Sequence, residues 1–118
     1  MPYIKSDDGR REALKQGDSA KVAGELNFQM FYYIKYNFNY NMSMDLGNKL
    51  RLCVQQFLGE TPNYQRYNDL TGALYRCYKE VERRLGYKEQ NLLDILESYD
   101  DQIAEYEDLK IKENGDVE

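Results

Sequence analysis

"KYNFNYNM", residues 35–42, alternates polar and apolar at every step, with Lys35, Asn37, Asn39 and Asn41 set against Tyr36, Phe38, Tyr40 and Met42. That is the period of a half-buried strand. Its reading decides the fold class, because the stretch before it, "GELNFQMFYYI" (24–34), repeats at helical spacing. No second strand-like run occurs in the chain, so a strand here would lack a partner. Asn is a poor helix former that favours turns. Residues 35–42 therefore read as the frayed end of a helix followed by an extended connection, with aromatic rings that cover a core edge or reach a partner.

Outward from this segment the chain reads as helices. "SDDGRREALKQG" offers Ser6 as an N-cap for a short helix that stops near Gly17. The second helix begins with Asp18 or Ser19 as cap and carries two apolar rows. Leu26, Met30 and Ile34 form one row, and Phe28, Tyr32 and Tyr36 form the other, about 200° away around the axis. A third helix begins at Ser43 or Asp45. Leu46, Leu50, Cys53, Val54, Phe57 and Leu58 share one stripe, and Gly59 ends it before Thr61-Pro62. A fourth follows Asn63, with Tyr67, Leu70, Leu74, Cys77, Tyr78, Val81 and Leu85 in phase and Gly86 as its stop. The last runs from about 88 to 112, turns Leu92, Leu96, Tyr99, Ile103 and Tyr106 inward, and stops at Asn114-Gly115. The expected fold is all-α: a single compact bundle of about five helices with a long acidic C-terminal helix.

Charge and composition narrow the chemistry. Residues 1–88 carry 14 Lys/Arg against 10 Asp/Glu, and residues 89–118 carry 2 against 11. The acids of the last segment are interspersed with apolar residues, which reads as a solvated helix face and not a disordered tail. With no His in the chain, His-based acid/base chemistry and the commonest zinc ligand are absent. Cys53 and Cys77 read as small buried hydrophobes in a reducing compartment. No leader or apolar run of membrane-spanning length is visible, so a cytoplasmic, non-membrane protein is expected.

Three constellations stand out. Glu97, Asp101, Glu105 and Asp108 form a carboxylate row on the last helix. A magnesium site of the helical-hydrolase type needs such a row on two facing helices, and the nearest candidates, Glu80 and Glu82, fall on different faces. No metal, cofactor or catalytic residue is therefore assigned. Helix four is basic: Arg66, Arg76, Lys79, Arg83 and Arg84 lie beside Tyr75 and Tyr78. Such a face suits phosphate and base stacking. The same face would pair naturally with the acidic last helix. Overall negative charge argues against nucleic acid as partner. Finally, 12 Tyr and no Trp leave more aromatic surface than one small domain easily covers.

The chain opens "MPYI", carries "GELNF" at 24–28 and closes "YEDLKIKENGDVE" from Tyr106. Between them, "YNDLTGALYRCYKEVERR" sets out Asn68, Gly72, Leu74, Lys79, Glu80, Arg83 and Arg84 in order. Together these resemble a family of short, functionally uncharacterised proteins of bacteria, archaea and their phages, with MPYI, GELNY and YED-x-KI-x-ENGD motifs. Members are usually shorter. The Tyr/Asn-rich segment with the helix after it, and "LGYKEQNLLDILESYDDQIAE" (85–105), look like additions here. The resemblance implies motif hardware at Glu25, Asn27, Asn68, Gly72, Glu80, Glu107 and Asp108. In that reading Asn27 and Asn68 hydrogen-bond between helices and Gly72 admits a close helix. Arg83 or Arg84 forks onto Glu107 or Asp108.

Two functional readings follow. The first is a non-enzymatic interaction protein, a phage or mobile-element accessory factor acting on a host component in the host cytoplasm. Its contact surface is Tyr32, Tyr36 and Tyr40, used for a homodimer or a host protein. The competing arrangement folds the Leu46–Leu58 helix back over that aromatic row. The rival function is a binder, or magnesium-dependent hydrolase, of a small anionic nucleotide held by Arg76, Lys79 and Arg83 with facing acids.

Overall fold

The computed structural model describes residues 4, 9–40, 46–86 and 90–115, with side chains left aside at 38–40 and 90–92. Five helices appear: α1 (Gly9–Lys15), α2 (Ala23–Tyr40), α3 (Leu46–Leu58), α4 (Tyr64–Glu80) and α5 (Gln90–Asn114). A wide π-type turn, Val81–Leu85, extends α4. The described residues contain no strand, and the fold is all-α as expected.

The helices stack in layers. α2 lies against α1 on one side and against α3, α4 and the π turn on the other. α5 packs on α3 and α4 and makes no contact with α2 among the described residues. The central layer is aliphatic: Leu26, Met30, Ile34, Leu50, Val54, Leu70, Val81 and Ile95 are fully buried. Burial of such side chains stabilises by roughly 1.5–3 kcal/mol each relative to exposure. Ile95, absent from the stripe read off the sequence, is the deepest contact of α5; Tyr99 joins it, while Leu96, Ile103 and Tyr106 are half-buried. From Glu107 onward every described residue of α5 is exposed. A 25-residue helix spans about 37 Å, so its last turns run clear of the bundle.

Local signals account for the ends. Asn63 caps α4, its Oδ1 accepting from the Arg66 backbone N–H at 2.9 Å. Gly59 and Gly86 stop their helices in the left-handed conformation, both at φ 73°. Two boundary readings need correction. The second helix starts at Ala23, not at an Asp18 or Ser19 cap, because Asp18 and Ser19 are tied instead to Arg10. Residues 35–40 are helical, so the helix end read into this segment runs as far as Tyr40 and no extended connection is observed before it; residues 41–45, with the expected caps Ser43 and Asp45, lie outside the described residues. The physical reason is hydrogen bonding. With no neighbouring strand, an extended segment would leave its backbone groups unpaired, whereas a helix satisfies them internally. Tyr36 then simply continues the Phe28, Tyr32 row.

Candidate functional site

The site grows from the way α1 is fastened to α2. Arg10 grips Glu25 with two bonds, Nε to Oε2 at 2.7 Å and Nη2 to Oε1 at 2.8 Å. The same guanidinium reaches Asp18 through Nη1 and the Ser19 carbonyl through Nη2. The Lys21 N–H also donates to Glu25 at 2.9 Å. Hydrogen bonds from Arg10 hold the Glu25 and Asp18 carboxyls below their ordinary range, against a smaller opposing push from burial. Glu25 therefore acts as an interhelix clamp as well as a favourable charge in the first turn of α2. Further along, the last carbonyls of α1 have no partner within that helix, and α2 supplies them. Gln29 Nε2 donates to the Leu14 and Asp18 carbonyls, each at 2.8 Å, and the Tyr33 hydroxyl donates to the Lys15 carbonyl at 3.3 Å. Gly17, at φ 101°, makes the turn that lets α1 double back.

Docked this way, α1 presents Arg11 and Lys15 to the aromatic row of α2. The Arg11 guanidinium carbon lies 5.2 Å from the Phe28 ring centroid, and Lys15 Nζ lies 5.3 Å from that of Tyr32. From the π turn, Arg84 sits over Phe31 at 4.6 Å. Phe28, Tyr32 and Tyr36 stack in sequence, with centroids 6.5 and 5.8 Å apart. Within the monomer α1 thus lies over Phe28 and Tyr32, which stay half-buried with Tyr36, and the helix over these two rings is not the third one of the competing arrangement. α3 meets the adjacent Tyr33 instead, with Lys49 over its ring at 5.3 Å.

Between α1, α2 and the π turn lies a cleft of about 250 Å³, lined chiefly by Arg11, Lys15, Lys35, Arg84, Glu80 and Asn27 over the Phe28, Phe31 and Tyr32 rings. Four cations face one carboxylate, on a chain whose net charge is −5. Glu80 is only 7% exposed. Its Oε1 accepts from Asn27 Nδ2 at 3.2 Å, and its Oε2 stands 3.7 Å from Arg84 Nη1. π-type turns recur where a helix is distorted for function, and this one carries Arg84 at the cleft, directly after Glu80.

The residues marked in the sequence divide accordingly. Asn27, Tyr32, Glu80 and Arg84 come together at the cleft, and Glu25 fastens the helix that closes it. Asn27 makes its interhelix bond; Asn68 makes none among the described residues and lies on a separate shallow groove with Tyr64, Tyr67, Tyr106 and Glu107. Gly72 is exposed, and a side chain there would touch nothing, so it admits no close helix. Arg76 and Arg83 are exposed, while Lys79 lies over Tyr75 and Tyr78. None of these three lines the cleft, and among the described residues none pairs with α5. The expected fork from Arg83 or Arg84 onto Glu107 or Asp108 is likewise absent. Arg84 is engaged with Glu80 and Phe31, on the α2 side, whereas Glu107 and Asp108 lie on the exposed run of α5. Facing acids do not form either: Glu80 bonds to α2, which α5 does not touch. Among the described residues no three of Asp, Glu, His and Cys gather as metal ligands. Of the proposed tyrosine contact, Tyr36 is half-buried and the Tyr40 side chain lies outside the described set.

Arg11 and Lys15 are the cleft cations that the sequence reading did not assign to a site. A signal was present: Arg11/Lys15 and Phe28/Tyr32 are both i, i+4 pairs, so two antiparallel helices can lay one pair over the other. Cys53 and Cys77 are buried free thiols, and burial pushes both up, Cys53 to about 12, as in packing residues. Compared with protein-family models, with curated proteins and with solved structures, the chain finds no match in any of the three.

Proposed function

We propose that this chain is a non-enzymatic binding protein whose ligand is a small phosphate-bearing molecule of nucleotide class, held in the α1–α2–π-turn cleft. One observation carries the reading: three cationic side chains lie over three aromatic rings, and a fourth, Lys35, lines the same cleft beside a buried carboxylate, on an otherwise acidic protein. Charge focused in one cleft favours a compact anion. A long polyanion would meet the repulsion of the remaining surface. The rings, and the guanidinium of Arg84 over Phe31, suit a planar group beside the anion.

Thermal denaturation with inorganic phosphate and with nucleoside monophosphates tests this. A ligand at a hundred times its dissociation constant stabilises the fold by about 2.7 kcal/mol, so the melting temperature rises with concentration. Lys35→Ala and Arg84→Ala, both at exposed positions, should blunt that rise. A melting temperature that stays flat to millimolar ligand overturns the proposal.

A further inference from the structure

We propose that the outer face of α4 docks the acidic face of α5 in a second copy of this chain, so that the protein self-associates through these two helices. The cleft and its ligand take no part in this contact.

The fold turns both faces outward. On α4, Arg76 and Lys79 lie around the axis from Leu70, Leu74 and Cys77, which are buried. On α5, Glu97, Asp101, Glu105 and Asp108 are exposed, on the side away from the buried Ile95 and Tyr99. Within one chain the two helices meet through other residues, with the Tyr67 and Tyr106 rings 5.0 Å apart, so each charged face is left without the other. Arg76, Arg83 and the four acids form no ion pair among the described residues.

Charged faces are ordinarily solvated, and isolated surface ion pairs contribute little. Two features set these faces apart. The first is apolar surface beside the charges. Tyr75, next to Arg76, is exposed, as are Leu109 and Ile111, one turn beyond Glu105 and Asp108. The last two stand where α5 has left its own bundle. The second feature is spacing. Two antiparallel helices rise equally per residue, so one register fixes every facing pair. Setting Glu105 against Arg76 brings Asp101, four residues earlier, to within one residue of Lys79, three residues later. The same register brings Lys112, seven residues later, onto Asp69, seven residues earlier. The signs are opposite at all three places. Such complementarity sets orientation and partner, while the apolar side chains add contact area.

Light scattering on the full chain, from micromolar to submillimolar concentration, tests the docking. The mass should rise from 14.0 kDa to a multiple of it in about 0.1 M salt. It should fall back in about 1 M salt, where the Debye length shrinks from about 10 to about 3 Å. Arg76→Glu with Lys79→Glu, and separately Asp101→Lys with Glu105→Lys, should each stay at 14.0 kDa, because each change sets like charges face to face. None of the four positions lines the cleft, so ligand binding there should be unchanged. Mixed in equal amounts, the two variants should associate again, since both contacts between unlike copies then join opposite signs. An unsubstituted protein that stays at 14.0 kDa throughout, or a mixture that does, overturns the docking. So does association that persists in either variant alone or that is indifferent to salt.

Discussion

Leu26, Met30 and Ile34 on one side of α2 are fully buried, whereas Phe28, Tyr32 and Tyr36 on the opposite side are half-buried, the first two beneath charged side chains. The first row meets aliphatic side chains of a shared core. The second meets the charged ends of Arg11 and Lys15, which lie over the Phe28 and Tyr32 rings. A ring can be covered by a cation and still face a solvated cleft; an isoleucine gains nothing from such a neighbour. The choice of Phe and Tyr on that side is what allows α2 to serve as core wall and site wall at once.

The largest effect expected from this contrast is on stability. Ile34→Ala opens a cavity in the aliphatic layer and should cost about 2–5 kcal/mol in urea unfolding. Tyr36→Ala, on the wet side, loses only part of a ring's burial and should cost about 1 kcal/mol. Equal losses would mean that both rows are core and that the cleft is an accident of packing.

Second comes the clamp. Arg10 and Glu25 side chains are 22% and 18% exposed, so their bidentate pair is better shielded than a surface ion pair. Arg10→Ala should cost about 1–2 kcal/mol after allowance for that residual exposure. Because α1 carries Arg11 and Lys15, the same change should loosen ligand binding although Arg10 does not line the cleft. A double-mutant cycle with Glu25→Gln should show coupling between the two positions. Additive losses would show that α1 is held by Gln29 and Tyr33 alone.

Much of this arrangement was legible in the sequence. The apolar stripes of α3 and α4, the Asn63 cap and the stops at Gly59 and Gly86 all follow from spacing and residue type. The opposed rows of α2 were legible too, but not what covers the second one. That cover is α1, seven residues long with one fully buried side chain, Leu14. Its position depends on Arg10, Gln29 and Tyr33 reaching across to it. Such bonds between polar side chains and distant carbonyls leave no periodic trace. For the same reason the cations were sought on α4, where Arg76, Lys79 and Arg83 stand close in sequence. Those that converge come from α1, α2 and the π turn. The expectation of a contact through Tyr32, Tyr36 and Tyr40 rests on one domain not covering both rows; α1 reaches Phe28 and Tyr32, and all three rings of the row, Tyr36 included, stay half-buried.

The smallest effect expected is a difference in acid sensitivity between the two sides of α2. Arg10 holds the Glu25 and Asp18 carboxyls below the 4.5 and 3.8 ordinary to them. In the unfolded chain that hold is lost, so over the acid range the unfolded state binds more protons than the folded one. Stability from the clamp is then fully present above the ordinary carboxylate range, and it drains away as pH falls through the depressed folded values. Urea midpoints measured from about pH 6 down to about pH 3 should fall for the unsubstituted protein. With Arg10→Ala the curve should start lower and fall less steeply, since its carboxyls titrate closer to their unfolded values. Ile34→Ala removes no ionisable partner, so its curve should lie below that of the unsubstituted protein and parallel to it. If Arg10→Ala also runs parallel, the carboxyls are not held by Arg10 in solution, and the wet side of α2 owes its closure to the cation–ring contacts instead.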